Sequence, residues 1–374
     1  MSEQPKTFLF AGGGSGGHLY PGIAVARALK AQMPEAKIKF MATTRPIDKE
    51  ILSASKDEFI VQPVSPMRKE PWTWLDFFLR FQKSVKICKA QIKENNVVGV
   101  LGLGGYASVP AMKAAKQLGV PVVMINPDAL PGKANKFAMK YADKICVQWQ
   151  GAVDYFGKMK DKCIVTGCPV REGIGKGNRE VALEALGLDV SKKTLVITGG
   201  SLGGHNVNCA VLHCIIDQHG IDSFDQWQVV HITGQLDFPW VKQQYDMVDF
   251  KAKVIPFWHN MSEILSVADL MISRAGASIL AEISAQGIAT LLVPYPYHKD
   301  QHQLLNAEML TQVGGAKVVI DTKDVATTAT GLGTELKILM ADDALCEKMA
   351  KQCLSVGKRD GAAAVAKALV ALTK

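Results

Sequence analysis

Long apolar runs are missing from this 374-residue chain: no stretch approaches the ~20 residues that a membrane-spanning helix needs. Paired cysteines are missing as well. Cys88, Cys146, Cys163, Cys168, Cys209, Cys214, Cys346 and Cys353 are scattered without a C-x-x-C. Cys163 and Cys168 stand closest to a ligand spacing, and no second pair of their kind accompanies them. This argues against a zinc site or disulfide framework and for reduced, buried thiols. Charged residues make up only 21% against 48% hydrophobic, which excludes a disordered chain. The polar start, Met1 to Lys6, has no secretory signal, so the cytoplasm is the expected compartment. With no RNP-like, zinc-finger or arginine-rich signature, nucleic acid is not an expected partner.

What is present is a lopsided charge and two glycine turns. Residues 1–170 hold 24 Lys and Arg against 13 Asp and Glu, net +11, while the remainder is net −3. The first half is therefore the one expected to meet an anionic partner. The length predicts about two domains. Residues 7–11 form a short apolar run that stops at glycines, and a helical pattern follows Pro21, which is the first βα unit of a doubly wound sheet. The order starts afresh at 194–198, followed by Gly199, Gly200, Ser201, Gly203 and Gly204 and a helical segment from 206 to about 217. Further runs at 37–41, 97–101, 120–124, 144–147, 228–232, 252–256, 270–273 and 290–293 suit buried parallel strands. Two such units predict an α/β chain of two Rossmann-like domains facing a cleft. The expected boundary lies near 167–171, giving domains of 1–168 and 169–352, with a last helix within 353–374 able to pack back on the first.

Residues 12–18 read Gly-Gly-Gly-Ser-Gly-Gly-His. Glycines let backbone N–H groups approach a diphosphate, and the helix start that follows favours negative charge. A P-loop needs Gly-Lys-Ser/Thr where this loop has Gly-His-Leu. A dinucleotide site usually has an acidic residue after the second strand, and this chain has Ala42-Thr43-Thr44-Arg45 there; an NADP site using Arg45 stays open. His18, at the helix mouth, suits a general base or a phosphate contact because imidazole titrates near neutral pH. The plainer alternative is a histidine that bonds a neighbouring backbone group. Residues 273–282 run from strand into helix, and Glu282 in the second turn suits the cis-diol of a ribose; the alternative is a solvated helix glutamate. The polar loop after 290–293 sits at the carboxyl edge of the sheet, where ligands bind. Gln303 and Asn306, one helical turn apart, suit a sugar's hydroxyls.

With these residues in view the chain resembles the MurG family of UDP-N-acetylglucosamine transferases. The likeness is carried by 12–21 (GGGSGGHLYP), 103–108 (LGGYAS), 129–132 (ALPG), 167–171 (GCPVR), 199–203 (GGSLG), 273–282 and 298–306, in family order. The resemblance implies a GT-B fold and inverting transfer of GlcNAc from UDP-GlcNAc. The implied acceptor is the C4 hydroxyl of an undecaprenyl-diphosphate-linked muramoyl pentapeptide, in peptidoglycan synthesis. It implies no cofactor and no metal, and no Asp-x-Asp occurs in the sequence. It assigns Arg171 and Ser201 to the donor, the backbone near Trp258 to uracil, and Ala277, Ser278, Ile279 and Leu280 to the phosphates. Glu282 goes to the ribose, Gln303 and Asn306 go to the sugar, and Ser15, Gly16, Gly17 and Asp128 reach the donor as well. Gly13, Gly14, Ser15 and His18 hold the acceptor diphosphate, with Tyr106 beside the acceptor. His18 is the first candidate for the catalytic base and Asp128 the second.

Some positions depart from the family pattern. Ile125-Asn126-Pro127-Asp128 replaces the usual His-Glu-Gln-Asn, so Asp128 stands in place of an amide. Ser201 is followed by Leu202-Gly203-Gly204 instead of Gln-Gly-Ala, and His302 stands where glutamine is also common. Three other readings stay open: a transferase with another lipid acceptor, an NADP-dependent dehydrogenase, and an idle nucleotide-sugar-binding module.

Residues 68–93 carry Arg68, Lys69, Arg80, Lys83, Lys86, Lys89 and Lys93 against Glu70 and Asp76. Spacings of three and four put Trp74, Phe78, Phe81, Val85, Cys88 and Ile92 on one buried stripe. Trp72, Leu75, Phe77 and Leu79 fall outside it. Aromatics beside lysines suit the headgroup zone of an anionic inner-leaflet membrane. Trp72, Trp74, Leu75, Phe77, Lys69, Arg80 and Lys83 are the expected contacts of a peripheral attachment to its cytoplasmic face. His205, Cys209 and His213 share one helix face like a metal row, but with no carboxylate partner in view they read as helix packing.

Overall fold

The computed structural model describes residues 5–200, 203–217, 224–248, 250 and 252–373. The chain divides into two compact units, Met1–Val170 with Asp360–Lys374, and Arg171–Arg359.

The first unit is built on seven parallel strands: β1 (Thr7–Ala11), β2 (Lys37–Ala42), β3 (Phe59–Val61), β4 (Val97–Gly102), β5 (Val122–Asn126), β6 (Lys144–Val147) and β7 (Cys163–Val165). Their order in the sheet is β3-β2-β1-β4-β5-β6-β7. All five residues of β1 are buried, as expected of a strand covered by helices on both faces. The chain winds outward from β1 to β3 and then restarts at β4 on the other side of β1. The loops after β1 and β4 therefore emerge side by side at the switch point, where open α/β sheets bind ligands.

Helix α1 (Gly16–Gln32) starts at the glycine loop itself, before Pro21 and not after it. Pro21 removes one amide hydrogen bond from the second turn, and burial of Leu19, Val25, Ala26 and Leu29 outweighs that loss. Helices α2 (Pro46–Ser55), α3 (Trp74–Glu94), α4 (Val109–Gln117) and α5 (Lys133–Ala138) follow. The expected stripe on α3 is only half right. Ser84, Val85, Cys88 and Ile92 are buried, but Trp74 and Phe78 are exposed along with Leu75 and Leu79. The 21-residue helix is about 31 Å long. A six-residue strand such as β4 spans only about 20 Å, so the helix outruns the sheet that would bury it. The last helix, Gly361–Ala371, returns to this unit, where Val365, Ala366 and Leu369 join Phe8, Phe10 and Leu101 in one core.

The second unit has six parallel strands: β8 (Lys193–Thr198), β9 (Trp227–Ile232), β10 (Ala252–Ile255), β11 (Leu270–Ser273), β12 (Ala289–Leu292) and β13 (Ala316–Val318). They are ordered β10-β9-β8-β11-β12-β13, so the loops after β8 and β11 mark a second switch point. The helix after β8 is regular only over His205–Leu212 and gives way to a π turn at His213–Asp217.

Candidate active site

In the first unit the loop after β1 turns through Gly13 (φ +140°) and Gly14 (φ +85°). A Cβ at Gly13 would come within 2.2 Å of Asp48 Oδ2, so this position takes only glycine. Asp48, buried on α2, holds the loop from beneath. It accepts the Gly14 N–H at 2.7 Å, the Thr43 N–H at 2.9 Å and the Thr43 hydroxyl at 2.6 Å. Arg45 forms the outer rim: its Nη1 donates to the Gly14 carbonyl at 2.9 Å, and its guanidinium lies 5.9 Å from the centre of the Tyr106 ring. Ser15 stands at the N-cap of α1, with Gly16 buried and Gly17 exposed in the first turn.

His18 sits in the first turn of α1, its Nδ1 3.2 Å from Ser15 Oγ. Its ring occupies a slot formed by the loop after β4. A Cβ on Gly105 would approach His18 Cε1 to 2.9 Å, and Gly105 has φ +69°. Asn135 on α5 fixes that slot. Its Oδ1 accepts the Gly105 N–H at 3.0 Å, and its Nδ2 donates to Asn126 Oδ1 at 2.8 Å. Asn126 in turn donates to the Asp128 carbonyl at 2.7 Å. Burial holds the His18 imidazole below its ordinary 6.5, while the Asp128 carboxylate, the Gly13 backbone and Asp48 draw it upward. His18 is therefore neutral at neutral pH, the form that accepts a proton. Tyr106, beside Gly14, has its phenol raised above 10 by burial, against the pull of Arg45. One switch point thus gathers Gly13, Gly14, Ser15, His18, Tyr106 and Asp128.

In the second unit a Cβ on Gly199 would fall 2.2 Å from the Gly204 amide nitrogen, so the loop after β8 is closed backbone to backbone. Ser201 lies outside the described residues. The helix Ala277–Gln286 begins where the loop after β11 ends, which places Ala277, Ser278, Ile279 and Leu280 in its first turn at the positive end of the helix dipole. The Leu280 N–H donates to the Gly276 carbonyl at 3.1 Å and so closes that turn. Glu282 is buried, and Arg171 clasps it at two points, Nε to Oε1 and Nη2 to Oε2, both at 2.6 Å. Both carboxylate oxygens accept from the guanidinium fork and keep lone pairs for a further donor.

Gln303 Oε1 accepts the Ala275 N–H at 3.2 Å and the Tyr295 N–H at 2.9 Å, so its NH₂ is the end left to donate. Asn306 is fully buried and its Nδ2 donates to the Ala275 carbonyl at 3.2 Å, which ties it to the loop after β11. Trp258 is half-buried with its indole N–H bonded to Glu263 at 2.9 Å. Of His205, Cys209 and His213, His205 Nδ1 lies 3.1 Å from Asp237 and its Nε2 lies 3.6 Å from Cys209 Sγ, but among the described residues these do not converge as metal ligands.

Just before and on α3, Trp72 is 80% and Leu75 70% exposed, whereas Phe77 is half-buried and stacks on Phe81 at 6.1 Å. The Trp74 indole donates to the Arg68 carbonyl. Arg80 is already paired with Asp76 at 2.7 Å, while Lys69 and Lys83 are exposed.

Sequence reasoning missed Asp48 and Asn135 altogether and gave Arg45 a different use. The glycines they hold, Gly14 and Gly105, lie 30 or more positions away in the chain. It also missed Arg274, whose Nη1 bonds Asp321 at 2.8 Å and the Val293 and Pro294 carbonyls, joining the loops after β11 and β12. A buried-charge signal of this kind appears only once the fold is known.

The glycosyltransferase family 28 N-terminal domain matches residues 8–147, and the C-terminal domain of the same family matches residues 194–365. The UDP-N-acetylglucosamine–N-acetylmuramyl-(pentapeptide) pyrophosphoryl-undecaprenol N-acetylglucosamine transferase of Thermodesulfovibrio yellowstonii is 34% identical over 319 residues, covering 84% of this chain and 85% of that protein. The protein of the same name from Thermoanaerobacter sp. strain X514 is 31% identical over 377 residues, covering 98% and 100%. The crystal structure of Acinetobacter baumannii MurG matches with a TM-score of 0.75 at 24% identity, covering 98% of this chain and 100% of that one. That likeness concerns the fold, which is GT-B with two Rossmann-like domains.

Proposed function

We infer how this chain works from one premise: it belongs to glycosyltransferase family 28, among the UDP-N-acetylglucosamine–N-acetylmuramyl-(pentapeptide) pyrophosphoryl-undecaprenol N-acetylglucosamine transferases. It is a UDP-GlcNAc-dependent N-acetylglucosaminyltransferase of peptidoglycan synthesis, converting the lipid-linked muramoyl pentapeptide to its GlcNAc-bearing product. The site residues are our assignment. The observation that carries it is the His18 ring, seated against Gly105 and bonded to Ser15 beside a glycine loop rimmed by Arg45.

The second unit takes the donor. The first turn of the helix Ala277–Gln286 faces the diphosphate, Glu282 accepts from the ribose while Arg171 holds it, and the Gln303 amide donates to the sugar. The first unit takes the acceptor, its diphosphate on the Gly13 and Gly14 loop with Arg45 at the rim. The acceptor's C4 oxygen bonds to C1 of GlcNAc from the face opposite UDP. The C1–O bond breaks with its electron pair leaving on UDP, and the hydroxyl proton passes to His18. Asp128, near enough to draw the His18 pKa upward, stabilises the imidazolium that results. Stabilising the departing diphosphate falls to backbone N–H groups.

Labelled UDP-GlcNAc incubated with a lipid-diphosphate muramoyl peptide gives a labelled disaccharide lipid. Absence of transfer, or stabilisation of the chain by NADPH and not by UDP, refutes the reading.

No helix among the described residues is long and apolar enough to cross a membrane. The exposed Trp72, Leu75, Phe78 and Leu79 beside Lys69 and Lys83 support peripheral attachment to an anionic inner leaflet. Changing Trp72, Leu75 and Phe78 together to Ser weakens binding to anionic vesicles by about 10²- to 10⁴-fold, since each loses roughly 1–2 kcal/mol of burial. Sedimentation with such vesicles measures this, and unchanged binding removes the proposed face.

A further inference from the structure

The loop after β12 ends in a cluster that the reaction leaves unused. His298 Nδ1 faces His302 Nε2 at 2.9 Å, with the two rings stacked at 4.3 Å between centroids. On the far side of the second ring, His302 Nδ1 lies 2.8 Å from Asp300 Oδ1. One candidate ligand atom from each of the three residues lies within 4.8 Å of the others. His298 and Asp300 are exposed and His302 is half-exposed, so an ion in solution reaches them.

The hydrogen bonds fix the protons. A carboxylate oxygen accepts, so Asp300 Oδ1 takes the hydrogen bond from His302 Nδ1. The proton therefore sits on His302 Nδ1, and Nε2 presents its lone pair to His298. The proton between the rings belongs to His298 Nδ1. A divalent ion that displaces it finds two imidazole nitrogens converging on one point. Two nitrogens bound to one tetrahedral zinc at about 2.0–2.1 Å stand about 3.3 Å apart, so the pair has to open by only a few tenths of an ångström. Asp300 then stands behind His302 as the outer carboxylate that orients a metal-bound histidine and raises its basicity.

We propose that His298 and His302, backed by Asp300, form a binding site for a borderline divalent transition-metal ion such as Zn²⁺. Imidazole pairs favour such ions over Mg²⁺. The site adjoins Gln303, whose carbonyl oxygen holds the Ala275 and Tyr295 amides, so a bound ion ties the loop to the helix His302–Thr311. It stands independently of what that loop binds.

Calorimetric titration of Zn²⁺ into the reduced full-length chain tests this. One ion binds per chain, and His298→Ala or His302→Gln each abolish the uptake. Asp300→Asn weakens it by about 10- to 100-fold, as loss of an outer carboxylate does. Cys209→Ser leaves it unchanged. No uptake by the wild type, uptake that survives the double histidine variant, loss in Cys209→Ser, or equal uptake of Mg²⁺ would each overturn the proposal.

Discussion

Replacing His18 by Ala lowers the turnover number by about 10²- to 10⁴-fold, the usual contribution of a positioned general base, while UDP-GlcNAc still binds. The pH profile separates this from a mere packing defect. Burial sets the His18 pKa below 6.5, so the neutral, proton-accepting form persists at neutral pH. Wild-type turnover therefore falls only as the pH drops through that lowered pKa, and the variant lacks this acidic limb. Asp128→Asn removes a charge that pulls the His18 pKa upward, so it shifts the limb to still lower pH. Steady-state rates from acid to neutral pH measure all three, and near-normal turnover in His18→Ala refutes the assignment.

Glu282→Ala weakens UDP binding by about 100-fold or more, because it removes the ribose acceptor and the two-point partner of Arg171. Breaking a buried pair by removing one partner costs about 3–5 kcal/mol, so the unfolding temperature falls too. Both side chains are well covered, at 22% and 5% exposure, which keeps solvent from absorbing that loss. The double change Arg171→Met with Glu282→Leu tells a ligand role from a structural one. An apolar pair leaves no orphan charge, so the unfolding temperature recovers, while titration with UDP stays weak. Recovery of UDP affinity in the double variant would mean that the pair only holds the loops together.

The two glycine loops and the strands before them were legible because a buried parallel strand is a nearly continuous apolar run that glycine cuts short. The edge strands β3, β7 and β13 were not: each is three residues long, too short for any periodicity. The site was legible where its residues follow directly on a glycine turn at a helix start, as His18 and Glu282 do. It was not where a helix reaches in from elsewhere, as Asp48 and Asn135 do. Arg171 and Glu282 were each named by the resemblance, but no spacing rule joins residues 111 positions apart. The α3 stripe went wrong for a related reason. A period of 3.6 tells which residues share a face, and only the length of the sheet beneath tells how many of them are covered.

The return of Gly361–Ala371 to the first unit bears on how the protein is made. Its Val365, Ala366 and Leu369 are the apolar cover over Phe8 and Leu101, and Lys6 Nζ bonds the Thr373 carbonyl. A ribosome finishes the first 170 residues long before that cover exists. Arg171–Arg359 emerges in one piece and folds as an uninterrupted stretch, whereas the unit that starts first closes only with the final residues. Nascent chains stalled short of residue 360 should therefore expose to chaperones the part of that sheet face which α1 leaves uncovered, around β4 and β5, and a premature stop codon there would destabilise the first unit.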